Sequence, residues 1–381
     1  MNAPKNILLL GLRWHEALIQ AVANEAAERR WHLNLGASLH GIIPEGWNGD
    51  GIIGTYGVKP ADLGRLVRRT KCPAVGVGMD FQKVGVPSVL TDNQVTGRLA
   101  AEHFLERGFR DFALYSAAGY ALADQRHSAF RAKLREHGCT CEYLLKHKAT
   151  DEVGLNTSWE IRLRNLRKAL RKQPKPLAVY TDLDYDAVWV IEACQSEGLS
   201  VPDDVAVLGT LDMPLYRRSS TVPLSSIAIG YEDNARLACD LLQRMMDGES
   251  VPRENILTQP KGVVARHSTD TFASRDPQVT QAIQFMFSHY HEPINLADIA
   301  AATGVSKSTL YNVFQSEVER TPLDVLTYIR LNKAKQMLRE TNEKVNVIAV
   351  ECGFGLVANL YHHFKPSTGV TPIAYRQQSR V

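Results

Sequence analysis

The 381-residue chain has no apolar run approaching the ~20 residues that a membrane-spanning helix needs. Its N-terminal run, Ile7 to Leu12, is also too short for the hydrophobic region and cleavage site of an export signal. The chain is therefore expected to stay in the cytoplasm, with no membrane partner. Cysteine is scarce: Cys72, Cys139, Cys141, Cys194, Cys239 and Cys352 are scattered, without the paired CxxC spacing of a zinc site. Reduced thiols are expected, and no metal. A phosphate-cradling G-x-x-x-x-G-K-S/T loop, a G-x-S-x-G nucleophile turn and an H-E-x-x-H zinc helix are all missing. No catalytic residue and no cofactor is assigned, and the chain is not expected to be an enzyme. Asp182-x-Asp184-x-Asp186 imitates the opening of a calcium loop, but Ala187 stands where the turn needs glycine and Ala193 where it needs glutamate. An excess of positive charge is missing as well. A formal net charge of +3 gives no electrostatic reason to expect nucleic acid.

What is present is ordinary in amount and informative in pattern. At 44% apolar and 22% charged residues the chain is globular in composition, and its length suits two or three cores. Short apolar runs at Lys5–Leu12, Trp31–Leu35, Gly51–Gly54, Pro73–Val77, Phe112–Tyr115, Leu177–Tyr180 and Val205–Gly209 read as strands. Between them lie helical stretches at Glu16–Arg30, Thr96–Arg107, Ala123–His137, Trp159–Lys172 and Ala187–Glu197, with Glu232–Asp247 following. Alternating strands and helices predict parallel, doubly wound sheets with helices on both faces. Ligands in such folds sit outside the carboxyl ends of the strands.

The C-terminal stretch states one pattern twice. Ile299-Ala300 precedes Gly304, Leu310, Phe314 and Thr321-Pro322; Ile348-Ala349 precedes Gly353, Leu360, Phe364 and Thr371-Pro372. In each copy a helix stops at a glycine that can take positive φ, and a second apolar-faced helix follows. That is the layout of a helix-turn-helix, whose second helix enters a DNA major groove. The Ile-Ala pairs lie 49 positions apart, and Arg330, Leu331, Ala334, Met337 and Leu338 between them recur at helical spacing. One helix there would hold two reading heads against successive grooves of double-stranded DNA, about 34 Å apart.

These residues resemble the C-terminal domain of the AraC family of transcription regulators. The resemblance rests on Gly304-Val305-Ser306, Arg330-Leu331-x-x-Ala334, Gly353-Phe354, and Phe364-Lys365 followed by Gly369-x-Thr371-Pro372-x-x-Tyr375-Arg376. Two departures stand out: Val313 where the family usually has a basic residue, and Leu356, Val357 and Ala358 where polar residues usually open the second recognition helix. Further upstream, Asp92-Asn93, Glu102-x-x-Leu105-x-x-Arg107-Gly108-Phe109, Arg126-x-x-x-Phe130, and Glu197-Gly198-Leu199-Ser200-Val201-Pro202-Asp203-Asp204-Val205 resemble the periplasmic-binding-protein-like sensor of the LacI/GalR repressors. The combination is similar to bacterial xylose-operon regulators. It implies an α/β two-lobed sensor over 1–266, a linker over 267–277, and an all-α tandem helix-turn-helix domain over 278–378. The sensor lobes would be roughly 4–107 with 230–248, and 110–227 with 251–266.

The resemblance also implies a sugar effector, a pentose with xylose first, held between the lobes of a homodimeric activator, with RNA polymerase a further candidate partner. By family position Asp92, Arg126 and Asp184 are the first ligand candidates. Asp92 equally suits a helix N-cap, and Asp184 competes with Asp182 and Asp186. The family's ligand aspartate falls at Leu211, one residue before Asp212, so either the loop shifts or the ligand chemistry differs. Trp14 and His15 follow the first strand, where they line the ligand cleft or simply pack. For DNA, Lys307, Ser308, Tyr311 and Asn312 are the outward positions of the first recognition helix, and Asn359, Tyr361, His362 and Lys365 those of the second. Asn312 and Asn359 suit adenine, and Lys307 and Lys365 suit phosphate. A regulator that senses a non-sugar ligand, or whose N-terminal domain serves only to dimerise, stays open beside the sugar reading. A transport-type binding protein or an enzyme on the same scaffold has less in its favour.

Overall fold

The computed structural model describes residues 3–11, 16–37, 45–116, 121–145 and 158–379. The strands are β1 (Asn6–Leu10), β2 (His32–Asn34), β3 (Gly51–Gly54), β4 (Ala74–Val77), β5 (Ser88–Thr91), β6 (Asp111–Tyr115), β7 (Cys141–Tyr143), β8 (Leu177–Thr181), β9 (Val205–Leu211), β10 (Ser225–Ala228), β11 (Ile256–Thr258) and β12 (Gly262–Val264). They form two six-stranded sheets, ordered β11-β5-β4-β3-β1-β2 and β12-β10-β9-β8-β6-β7. Every pairing is parallel except β10 with β12. Strands β1, β3, β4, β8 and β9 are almost wholly buried. That is why they read as continuous apolar runs rather than alternating ones. Helices Pro60–Thr70 and Pro214–Ser219 and strands β5, β7, β11 and β12 are among the elements that the apolar runs did not announce.

The chain divides into two compact units, one of residues 1–92 and 229–260, the other of 93–228 and 261–381. The chain passes from one to the other three times, and the first crossing lies apart from the expected one. It falls at Asp92–Asn93, not near residue 107, because helix Asn93–Leu105 packs on helix Ala121–Glu136 in the second unit. At their crossing a Cβ on Gly97 would stand 2.1 Å from the Arg126 carbonyl oxygen, so only glycine allows the two backbones this close.

The C-terminal helices belong to the second unit. The strut Pro322–Glu340 serves two cores with successive parts of its length. Val325, Leu326 and Ile329 join Val279, Ile283, Ile299, Leu310 and Phe314; Leu331, Ala334 and Leu338 join Ile348, Ala349, Cys352, Leu360 and Phe364. Side-chain caps set where the strut and its neighbours begin: Asn295 and Thr321 form capping boxes with Asp298 and Asp324, and Ser306 accepts from the Thr309 amide. The expected linker is structured. Ser268, Thr269, Thr271 and Phe272 are buried, with the Ser268 hydroxyl donating to the Val207 carbonyl at 2.6 Å.

All six cysteines are free thiols. Burial pushes the thiols of Cys141, Cys194, Cys239 and Cys352 up to about 12, so they are inert apolar filler near neutral pH. Among the described residues no helix is long and apolar enough to cross a membrane, and no cluster of His, Cys, Asp or Glu could hold a metal ion.

Candidate ligand site and nucleic-acid interface

The carboxyl ends of β6, β8 and β9 in the second unit gather an unusual density of buried polar groups. Arg126, 5% exposed, donates from Nε to Asn93 Oδ1 at 2.6 Å and from Nη1 to the Asp182 carbonyl at 3.0 Å. His127 lies 2.6 Å from Asp182 Oδ1 through Nε2 and 2.7 Å from the Tyr143 hydroxyl through Nδ1. The second Asp182 oxygen and the Tyr115 hydroxyl are buried without a hydrogen-bond partner among the described residues. Orphaned polar atoms of this kind are costly in a finished interior, and a bound ligand or water would complete them.

Two expected ligands turn out to have other work. Asp184 is 1% exposed, and its carboxyl receives the Met213 amide at 2.7 Å and the Ser226 hydroxyl at 2.5 Å. A Cβ on Gly209 would lie 2.3 Å from its Oδ1, so the strand leaves just enough room for this one carboxyl. Burial above all, with the nearby Asp212 charge, pushes the Asp184 carboxyl up to about 7. It ties the loop after β9 and strand β10 to the helix Asp184–Ser196 that it opens. Asp182 is the acid of the trio that lies beside Arg126 and His127.

Asp212 is also engaged. It accepts from Arg217 Nε and Nη2 at 3.0 and 2.7 Å and from Arg266 Nη1 at 2.7 Å. Leu211 and Asp212 both hold positive φ, 101° and 50°, a strained pair for non-glycine residues. With this backbone the Asp212 carboxylate meets two arginines. Asp92 closes the first unit, half-buried, with its amide donating to the Thr258 carbonyl at 2.8 Å. Trp14 and His15 lie outside the described residues.

The site connects to the C-terminal helices along two paths within the second unit. Helix Asn93–Leu105 begins at the residue that holds Arg126. At its far end, about 20 Å away, His103 Nε2 meets Thr269 Oγ1 at 2.9 Å, and Arg107 donates to the Thr269 carbonyl at 3.0 Å. The Arg107 guanidinium also stacks on Tyr328 of the strut, 5.1 Å from the ring centroid. The second path runs through Arg266. It grips Asp212 and the Leu224 carbonyl with Nη1 and reaches Glu340, the last strut residue, at 3.5 Å. Lys333 adds a strut contact to Asp270 at 2.5 Å. Sequence reasoning passed over Asn93 and His127 as ligand candidates and gave Arg266 no role. Arg266 had no signal beyond its place in the joining segment; Asn93, next to Asp92, was within reach.

The two helix-turn-helix copies bury matching positions, Leu310 and Phe314 in one and Leu360 and Phe364 in the other. Lys307, Ser308, Tyr311 and Asn312 are exposed on Lys307–Glu317, and His362 and Lys365 on Val357–Thr368, with Tyr361 half-buried. Asn359 is exposed, but its Nδ2 donates to the Phe354 carbonyl at 3.0 Å. It fixes the turn, and a two-point contact with adenine would first have to break that bond. The modules are locked together by Arg330, which donates to the Tyr290 and Glu292 carbonyls at 2.8 and 2.7 Å. Gly353 sits against the same place: at φ +77° its added Cβ would fall 2.0 Å from the Tyr290 oxygen, whereas Gly304, at φ +69°, has open space. Gly304→Ala should therefore cost only the left-handed penalty of about 1–2 kcal/mol. Gly353→Ala should cost clearly more and loosen the second module. Urea unfolding of the two variants checks the difference; equal costs would contradict it.

A tandem helix-turn-helix on one strut, fixed to a doubly wound lobe with a buried polar cluster at its strand ends, defines a DNA-binding transcription regulator carrying a sensor-type domain. Comparison with known proteins agrees. A periplasmic binding protein-like domain matches residues 101–269, and a helix-turn-helix domain matches residues 299–378. The chain is 28% identical over 364 residues to the xylose operon regulatory protein of Escherichia coli (strain K12), covering 92% of this chain and 90% of the relative. The protein of that name from Haemophilus influenzae is 25% identical over 336 residues, covering 86% and 84%. A solved structure of a xylose-binding transcription activator aligns over 100% of both chains, with TM-score 0.63 and 26% identity. This chain is thus a transcription factor resembling the xylose operon regulators, with a periplasmic-binding-protein-like domain ahead of an AraC-type one. Its relatives and structural neighbours are transcription regulators rather than enzymes.

Proposed function

We propose that this regulator is controlled by a sugar, with a pentose and xylose first among candidates, and that it acts as a homodimeric activator in the cytoplasm. The observation that carries the effector reading is the Arg126–Asn93–Asp182–His127 cluster with its orphaned Asp182 oxygen. Sugar hydroxyls both donate and accept, so one ligand can complete an arginine and an open carboxylate oxygen together. Asp92 remains a candidate ligand. Trp14 and His15 keep their candidacy from sequence alone. Asp184 and Asp212 are reassigned to the loop that carries the response.

In this reading the effector pulls on Asn93 and on the β9 loop. The helix Asn93–Leu105 and the Asp212–Arg266–Glu340 chain pass the displacement to the strut. The strut then changes how Lys307, Ser308, Tyr311, Asn312, Tyr361, His362 and Lys365 meet two successive major grooves. A coupling of about 1–3 kcal/mol would make a useful switch. RNA polymerase is the further partner that an activator requires.

Titration calorimetry with a panel of pentoses and hexoses tests the effector. Arg126→Ala should weaken the bound sugar at least about tenfold, since a charge-assisted donor contributes roughly 1.5–3 kcal/mol. Binding that survives unchanged would move the site elsewhere. A second reading is favoured by one observation: Leu211 takes the family's ligand-aspartate place, and Asp212 is occupied by arginines. On that reading the pocket takes a non-sugar molecule or none, and the N-terminal domain serves to dimerise. Failure of every sugar to bind would select it.

A further inference from the structure

The second recognition helix presents an apolar tip that the rest of the molecule does not use. Leu356 is 68% exposed and Val357 40% exposed, and Ala358 is exposed beside them. The inward positions of this helix are already filled by Leu360 and Phe364, which are fully buried. The apolar tip is therefore no part of the core. The first recognition helix solves the same local problem differently. Ser306 caps it by accepting from the Thr309 amide, and Lys307 and Ser308 follow, both exposed. In the second helix Leu356, Val357 and Ala358 stand at those three places, and no side chain caps the start. The tip is continuous with the exposed His362 and Lys365, on the helix that the helix-turn-helix match assigns to DNA.

N-terminal residues of a recognition helix meet base edges. In the major groove the apolar feature that a base pair offers is the thymine 5-methyl group. We propose that the two modules read DNA by different chemistry. The first uses charge and hydrogen bonds from Lys307, Ser308 and Asn312. The second uses Leu356 and Val357 to select thymine methyl groups. This rests on the DNA-binding reading above and specifies what one half of the target must contain. Neither side chain is needed for folding, so both can be changed without disturbing the module.

The test starts from duplexes selected out of a random library by the full-length protein at low ionic strength, with and without xylose. Each thymine of the enriched duplex is then replaced by deoxyuridine, which removes only the methyl group. One or two positions within one half of the site should each lose about fourfold in affinity, the value of one buried methyl. The Leu356→Ser/Val357→Ser double variant should bind more weakly, melt at an unchanged temperature, and no longer distinguish thymine from deoxyuridine at those positions. Lys307→Ala should keep that distinction while lowering affinity generally. Indifference to deoxyuridine at every position, or a methyl effect that persists in the double variant, overturns the proposal while leaving DNA binding intact. So does a double variant with unchanged DNA affinity but impaired transcription, which would assign the tip to a protein partner. If no duplex is enriched at all, the DNA-binding reading falls and this one with it.

Discussion

Replacing Asp184 by asparagine is expected to stabilise the protein above neutral pH and to remove most of the pH dependence of its stability between about 4 and 7. The carboxyl is buried, and burial is the main reason its folded pKa stands near 7, against an ordinary 3.8. Between those values the folded state holds a proton that the unfolded chain has released. Stability therefore declines as pH rises through that window, and levels off above the folded pKa. Three pKa units amount to about 4 kcal/mol, taken as an order of magnitude. Asparagine avoids the penalty and can keep the geometry. Its Oδ1 can accept from the Met213 amide. Its Nδ2 can donate to the Ser226 hydroxyl, which already accepts from the Asp212 amide at 2.9 Å. Urea unfolding of both proteins at pH 5 and pH 8 decides the matter. A variant less stable than the parent at pH 8 would mean that Asp184 is held there as a useful charge, opposite Arg266.

Replacing Arg266 by alanine should cost about 3 kcal/mol of stability and, under conditions where the variant stays folded, uncouple DNA binding from the effector. Removing one member of a buried ion pair costs about 3–5 kcal/mol because the remaining charge is left in a poor solvent. The lower end applies here, since Arg217 still holds Asp212 by two contacts. Arg266 also satisfies the Leu224 carbonyl, which alanine would orphan. The functional expectation is sharper than the energetic one. Arg266 bridges the strained Leu211–Asp212 loop and Glu340 at the end of the strut. Without it, effector affinity should stay within a few-fold while the effector's influence on DNA affinity falls toward none. Glu340→Gln, which leaves Asp212 paired, should reduce the coupling without the loss of stability. An Arg266→Ala protein that responds normally would leave the Asn93–Leu105 helix as the working connection.

Much of this was legible in the chain because it is written in local patterns. Buried parallel strands need continuous apolar runs, and β3, Gly51–Gly54, shows one whole. The tandem reading heads repeat glycine, leucine and phenylalanine at one spacing because each must stop a helix and fill a small core. The strut was legible in Arg330, Leu331, Ala334, Met337 and Leu338 at helical spacing, and it starts at Pro322 because Thr321 caps it. Other features left little local trace. Helix Asn93–Leu105 belongs to the second unit because Gly97 lets it press against Arg126. That contact joins residues far apart in sequence.

The site divides the same way. Family position pointed to candidate ligands at strand ends, and the repeated helical period to two DNA-reading helices, because a repeat spacing is a property of the sequence itself. They could not say which of Asp182, Asp184 and Asp186 faces Arg126, or that Asp212 answers to Arg266. Those assignments depend on the strained loop after β9 and on partners 42 to 54 residues away. Composition and spacing determined what kind of protein this is. Tertiary packing decided which of these carboxylates are hydrogen-bonded within the fold and which keep an oxygen without a partner among the described residues, because a buried acid is defined by the neighbours that folding brings to it.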